Sequence, residues 1–219
     1  MQNVPRIYLN EILESGKSFP VDKGVVHYLR HVMRRDNCLV FNNGVEYNAV
    51  LSDDNKMIVV GEKTNRADPS NNIVFYFSPI KKTDEMLNMV TQMGVAELQP
   101  VITERTVANH INWERQKKII VEASEQSNRN SVPELKEPIK FDDLDLNNLI
   151  VADERFAHET KTENKQIKSN RIFIGPEGGF SSKEFEKMDG AGVCSISLGR
   201  TILRAEVAAV VAVSKVLNK

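Results

Sequence analysis

The stretch Ile172-Phe-Ile-Gly-Pro-Glu-Gly-Gly-Phe180 decides the fold. A β-branched and aromatic run stops at Gly175-Pro-Glu-Gly-Gly179, and Ser181 with Glu184 then has the spacing of a helix capping box. The stretch reads as strand, tight loop, helix. Its glycines admit positive φ and carry no side chains, so a flat ligand can approach the backbone there, and Pro176 stiffens the turn. About twenty residues on, Ser197-Leu-Gly-Arg-Thr-Ile-Leu-Arg-Ala-Glu206 repeats the design. Cys194 to Leu198 reads as a strand, Gly199 breaks it, and a helix is expected from about Thr201 to Leu217. Two such loops side by side at the carboxyl edge of a parallel sheet make a ligand site. Neither has the GxxxxGK[ST] or GxGxxG spacing of a phosphate loop.

Outward from this centre, strands and helices alternate. Strands are expected at Ile73–Phe77, Leu98–Ile102, Leu149–Ala152 and Arg171–Ile174, with helices at Asp84–Met93, Trp113–Gln126 and Ser182–Asp189. That alternation marks a parallel α/β sheet. In the Trp113 helix, Glu122, Gln126 and Arg129 fall at i, i+4 and i+7 on one face, ahead of the polar run to Pro133. Such a face is a surface ladder or a nucleotide contact. Lys161 to Arg171 is lysine-rich and reads as a surface helix or a loop near a polyanion.

The N-terminal part is strand-rich. Arg6–Leu9 and Met57–Val60 read as strands, and Cys38–Phe41 and Glu46–Leu51 form a hairpin turning at Asn43-Gly44. Asp22 to Arg34 has helical spacing, with Val26, Leu29 and Met33 on one side. These elements suggest a small β-barrel-like module. The polar run Glu62 to Asn72 separates it from the rest, dividing the chain into 1–68 and 73–219. Arg6, Arg30, Arg34 and Arg35 are candidate phosphate contacts. His27 and His31 stand at i, i+4, but without the glutamate of an HExxH motif no metal is expected.

The 219 residues, 41% hydrophobic and 27% charged, suffice for a substantial core. Net charge of −1 excludes a uniformly basic coat while allowing a local basic patch. No apolar run approaches the roughly 18 residues of a membrane span. Met1-Gln-Asn-Val-Pro-Arg-Ile lacks a signal-peptide pattern, and Cys38 and Cys194 are isolated, so reduced thiols in a cytoplasmic setting are expected.

Several segments, in order, resemble the RsmE family of SPOUT-class methyltransferases. They are Tyr28-Leu-Arg-His-Val-Met-Arg34, Met93-Gly-Val95, Thr103-Glu-Arg-Thr106, Glu122-Ala-Ser-Glu-Gln-Ser-Asn-Arg129, Ile174-Gly-Pro-Glu-Gly-Gly-Phe-Ser181 and Ile202-Leu-Arg-Ala-Glu206. The resemblance implies methylation of uridine N3 in the decoding region of 16S ribosomal RNA, within the small ribosomal subunit, using S-adenosylmethionine. It implies a PUA-like RNA-binding barrel, a SPOUT domain with a C-terminal trefoil knot, and a homodimer. The implied cofactor contacts are Ala152, Gly175, Pro176, Glu177, Gly178, Gly179, Leu198, Gly199, Ile202 and Leu203. The chain departs from the family pattern at Thr201, Ala205 and Val207, where arginine and two threonines are expected, with Arg200 one place upstream as an RNA contact.

Methyl transfer to N3 requires the uracil to be unpaired and its N3–H to be lost, which leaves an anion spread over O2 and O4. Arg129 and Arg204 are candidates to stabilise that anion, and Glu206 to orient or accept the proton; Glu177 is the alternative base. A ribose 2′-O-methyltransferase and a non-catalytic assembly factor are the rival readings.

Overall fold

The computed structural model describes residues 4–68, 72–107, 111–156 and 168–218. The chain divides into two compact units, Met1–Ser70 with Val121–Val132, and Asn71–Ile120 with Pro133–Lys219. The segment 121–132, expected on the C-terminal side, thus belongs to the first unit. Of the lysine-rich run Lys161 to Arg171, residues 161–167 lie outside the described residues.

In the first unit, β1 (Arg6–Tyr8), β2 (Ser18–Pro20), β3 (Asn37–Asn42), β4 (Val45–Leu51) and β5 (Met57–Lys63) form one sheet in the order β1-β3-β4-β5-β2. β1 runs parallel to β3 and the other pairs are antiparallel. The β3–β4 hairpin closes with Asn42 opposite Val45, and Asn43 and Gly44 take φ of 48° and 77°. Those angles are what a two-residue turn of the primed type requires. Alternation decides the faces: Ala49, Leu51, Ile58 and Val60 are buried with Ile7 and Val40, while Val50 and Val59 pair on the outer face.

The expected helix from Asp22 is shorter and changes type. Asp22 caps α1 (Lys23–His27) by accepting from the Val25 amide, and a π-helical turn follows over Tyr28–Met33. Arg34, at φ 53°, ends it. Leu29 is fully buried in the sheet's core.

The second unit carries β6 (Val74–Phe77), α2 (Thr83–Gln92), β7 (Glu97–Ile102), α3 (Trp113–Gln126), β8 (Glu134–Leu135), β9 (Ile139–Lys140), β10 (Leu149–Ala152), β11 (Arg171–Ile174), α4 (Ser182–Gly190), β12 (Cys194–Ile196) and α5 (Ala205–Leu217). α3 passes into the first unit at Val121. The sheet is parallel in the order β12-β10-β11-β6-β7-β8, with β9 also beside β7. Consecutive residues of its central strands are buried, Leu149-Ile-Val151 and Ile172-Phe-Ile174 among them. Strands covered on both faces need unbroken apolar runs, which is why these were readable. β8 and β9, two residues each, left no periodic signal.

α5 begins at Ala205, four residues later than expected. Arg204 is its N-cap in extended conformation, so Thr201 to Leu203 remain loop.

Candidate active site

The second unit's strands all point their carboxyl ends the same way, and a cavity of about 810 Å³ opens there, past the ends of β12, β10, β11 and β6. From the neighbouring strands β6 and β11 the chain goes on to strands on opposite flanks of the pair, β7 and β12, and at such a switch point open α/β sheets keep ligands. All ten residues expected to contact a cofactor line it: Ala152, Gly175, Pro176, Glu177, Gly178, Gly179, Leu198, Gly199, Ile202 and Leu203. Arg204 and Glu206 line it too.

Local chemistry fixes the first loop. The Gly179 amide donates to the Pro176 carbonyl at 2.9 Å, closing a turn. A methyl group at Gly175 would stand 2.8 Å from the Phe180 ring, and Gly179 holds φ 67° against Glu154 Oε1, so neither position has room for a side chain. Phe180 is buried edge-on between Phe173 and Phe185. Ser181 and Glu184 form the expected capping box, and Glu184 Oε1 also accepts from the Glu104 amide at 2.8 Å. The Arg105 guanidinium donates to the Gly178 carbonyl at 3.0 Å. The loop is therefore held from both sides.

Charge is arranged around the second loop. Glu206, 7% exposed, sits in the first turn of α5, where a helix favours an anion. Lys82 reaches it at 3.7 Å and pairs with Glu85 at 2.9 Å. The Glu85 hydrogen bond and charge, with Glu206 behind them, hold the Lys82 ammonium above its ordinary pKa. Lys81, Lys82, Asp153 and Glu154 were missed in the sequence although they line the cavity. Their signal was positional: Lys81 and Lys82 follow β6, and Asp153 and Glu154 follow β10, the same sheet edge as the two glycine loops.

Arg129 is placed differently from expectation. α3 ends at Gln126; Asn128 turns left-handed at φ 61°, and the Arg129 amide donates to the Ser124 carbonyl at 3.0 Å, a Schellman-type stop. The i+7 step of the expected face is never taken. Arg129 is 9% exposed in the first unit, donates to Ser131 Oγ at 3.4 Å, and is not among the residues lining the cavity. Burial lowers its pKa, and Asp68 opposes the shift.

Arg6 needs the larger correction. It is 5% exposed and pairs with the equally buried Glu46. It also donates to the Arg129 carbonyl at 2.6 Å and to Asn130 Oδ1 at 2.8 Å. Burial pulls its pKa down to about 10, with the nearby Arg66 charge adding to the shift. Arg6 is an internal strut of the first unit, its guanidinium spent on Glu46, the Arg129 carbonyl and Asn130 rather than presented at the surface for a phosphate. Of the other basic candidates, Arg30 pairs with Asp36 and bonds Asn55, Arg35 is half-buried, and Arg34 and Arg200 are exposed.

Fold and cavity define a class of protein: a family model described as "RNA methyltransferase domain" matches residues 67–217. The ribosomal RNA small subunit methyltransferase E of Rickettsia conorii is 34% identical over 96% of this chain and 94% of its own length. The enzyme of that name from Mesomycoplasma hyopneumoniae is 27% identical over 97% of this chain and 99% of its own. The chain belongs to the family of ribosomal RNA small subunit methyltransferase E. A crystal structure of the Neisseria gonorrhoeae member bound to S-adenosyl methionine superposes with a TM-score of 0.85 at 25% identity, covering 99% of this chain and 98% of that one.

Proposed function

We propose that the chain is an S-adenosylmethionine-dependent methyltransferase acting on N3 of a uridine in the decoding region of 16S ribosomal RNA. The observation that carries this reading is the convergence of both glycine-punctuated loops, Arg204 and Glu206 on one cavity. The lining suits the cofactor. Gly175 packs bare against Phe180 and Gly179 stands without a side chain beside Glu154 on the cavity wall, which keeps the loop's peptide groups within reach of a flat purine, and lysines and carboxylates stand around it for an amino-acid end that carries both charges. Ala152, Gly175 to Gly179, Leu198, Gly199, Ile202 and Leu203 are the residues that would hold it. When bound, S-adenosylmethionine supplies an electrophilic methyl group on sulfonium.

The protein's own contribution is placement and charge. Holding the acceptor nitrogen in line is worth about 7–11 kcal/mol. Arg204, exposed at the cavity rim, stabilises the uracil anion left by loss of N3–H. Glu206, two residues on and with Lys82 beside it at 3.7 Å, either orients that arginine or accepts the proton. The first unit serves as a PUA-like RNA-binding module through Arg34 and Arg35. Family membership further supports a trefoil knot in the second unit, a cytoplasmic homodimer, and the small ribosomal subunit as its partner. The exposed Ile202 and Val207, at 70% and 44%, flank the start of α5 and suit a subunit interface.

The test is transfer of radiolabelled methyl groups into unmodified small-subunit RNA and particles, with mass analysis of the nucleosides. N3-methyluridine is the expected product. A 2′-O-methyl nucleoside, or no transfer with RNA binding intact, would replace this reading with a ribose methyltransferase or an assembly factor.

A further inference from the structure

The first unit holds a cavity of its own, about 640 Å³, which the methyl-transfer reading leaves without a role. One wall comes from the π-helical turn. Tyr28 and Met33 stand at its two ends and both line the cavity. In an α-helix, residues five apart point about 140° away from each other. The wider turn bonded i to i+5 brings them round to one side. Tyr28 is 37% exposed, so its ring is open to a ligand, and Val25 adds apolar surface next to it.

The rest of the lining is polar: Arg6 belongs to it, with its guanidinium turned to Glu46, the Arg129 carbonyl and Asn130, and the other polar side chains offer acceptors. Glu122, Glu125 and Gln126 lie at i, i+3 and i+4 of α3 and face the cavity together. Glu125 is half-buried; its Oε1 accepts from the Tyr8 amide at 3.0 Å, which fixes the carboxylate and leaves Oε2 and the second lone pair of Oε1 to accept from a ligand. A slot with an aromatic ring and a thioether on one side and an anchored carboxylate on the other suits a flat ring with adjacent N–H donors on its edge. Among nucleobases that is guanine, whose N1–H and N2 amino group meet a carboxylate side by side. Uracil has a single N–H, flanked by two carbonyl acceptors that a carboxylate repels. A lone ammonium would gain little from Val25 and Met33.

We propose that this cavity is a subsite for an unpaired guanine of the RNA substrate, stacked against Tyr28 and Met33 with its Watson–Crick edge donated to Glu125. The proposal rests on the RNA methyltransferase reading and adds a second point of base recognition, away from the methyl acceptor.

The test uses the full chain and fluorescence anisotropy with labelled RNA hexamers: all-uridine, or uridine with one central guanosine or inosine. A bidentate base contact predicts that guanosine improves the dissociation constant over uridine by at least about fivefold. Inosine, lacking the amino group, should fall between. Glu125→Gln should abolish the preference while leaving the all-uridine constant unchanged, and Tyr28→Leu, at a surface position, should weaken guanosine binding alone. Equal binding of the guanosine and uridine hexamers overturns the subsite, as does a preference that survives both substitutions. Loss of the preference on adding arginine amide but not guanosine monophosphate also overturns it, in favour of a basic side chain. Absent guanosine preference with methyl transfer intact removes the subsite alone; absent methyl transfer removes the reading beneath it.

Discussion

Replacing Gly175 by alanine tests whether the cavity is shaped by backbone. The added methyl would lie 2.8 Å from Cε2 and Cζ of Phe180 and 3.2 Å from Cε1. Carbon atoms rest at about 3.5–4.0 Å, so the ring must retreat by roughly 0.7–1.2 Å. It has nowhere to go: Phe180 is 2% exposed, with ring centroids at 5.0 Å to Phe173 and 5.5 Å to Phe185. Overpacking of this kind costs about 1–3 kcal/mol. For a chain of this length that lowers Tm by roughly 2–12 °C. Because the displaced loop also lines the cavity, affinity for S-adenosylmethionine in a calorimetric titration should fall by about tenfold or more, equivalent to ~1.4 kcal/mol. The control is Gly178→Ala, whose methyl would meet Arg105 Cβ at 3.6 Å, an ordinary contact. It should alter stability by no more than about 0.5 kcal/mol. If Gly175→Ala leaves both Tm and affinity unchanged, or Gly178→Ala does equal damage, the cradle does not work by exclusion.

Arg204→Ala should lower kcat by about 100-fold or more while leaving S-adenosylmethionine affinity within a few fold, as separate rate and titration measurements will show. Arg6→Ala leaves the buried Glu46 with only Thr64 and, at 4.0 Å, Arg66, and should destabilise the first unit by about 3–5 kcal/mol in urea denaturation, whereas Arg6→Met with Glu46→Leu should recover only part of that loss, because the Arg129 carbonyl and Asn130 still lose their donor. Burial raises the Glu125 pKa above its ordinary value of 4.5, so between that value and the raised one the folded chain binds more protons than the unfolded chain. Its contribution to stability is therefore complete below pH 4.5 and lost as pH rises through the raised value, and Glu125→Gln should flatten that decline when denaturation is compared across the window. Burial pushes the Cys38 thiol up to about 12, so at neutral pH a thiol reagent should label Cys194 well before Cys38.

What the sequence revealed, and what it hid, follows from the range of the interactions. Loops with a local cause were legible: Gly175 and Gly179 are required by neighbours within five residues or by φ, and Asn43-Gly44 closes its own hairpin. The unbroken apolar runs of β10 and β11 reported burial on both faces directly. Arg6 misled because charge pattern gives the sign of a side chain and not its depth, and its partner Glu46 is 40 residues away. Arg129 misled because a helical period was carried through Asn128, where the backbone turns left-handed. The π-helical turn has no sequence periodicity distinct from that of the helix before it. Lys82 was invisible since its value lies in reaching Glu206, far along the chain.

The buried polar network of the first unit sets a schedule for its synthesis. Asn130, with no exposure of its own, takes the Asp68 carboxylate on its amide at 2.7 Å, with a sequence separation of 62, and the Arg6 guanidinium on its side chain. At about 5–20 residues per second the ribosome needs roughly 3–12 s to travel from one to the other. Throughout that interval the five strands are already complete while Arg6 and Asp68 still await their partner. The nascent sheet therefore waits, part-solvated at its centre, for a strip of polypeptide emitted after the chain has begun building something else.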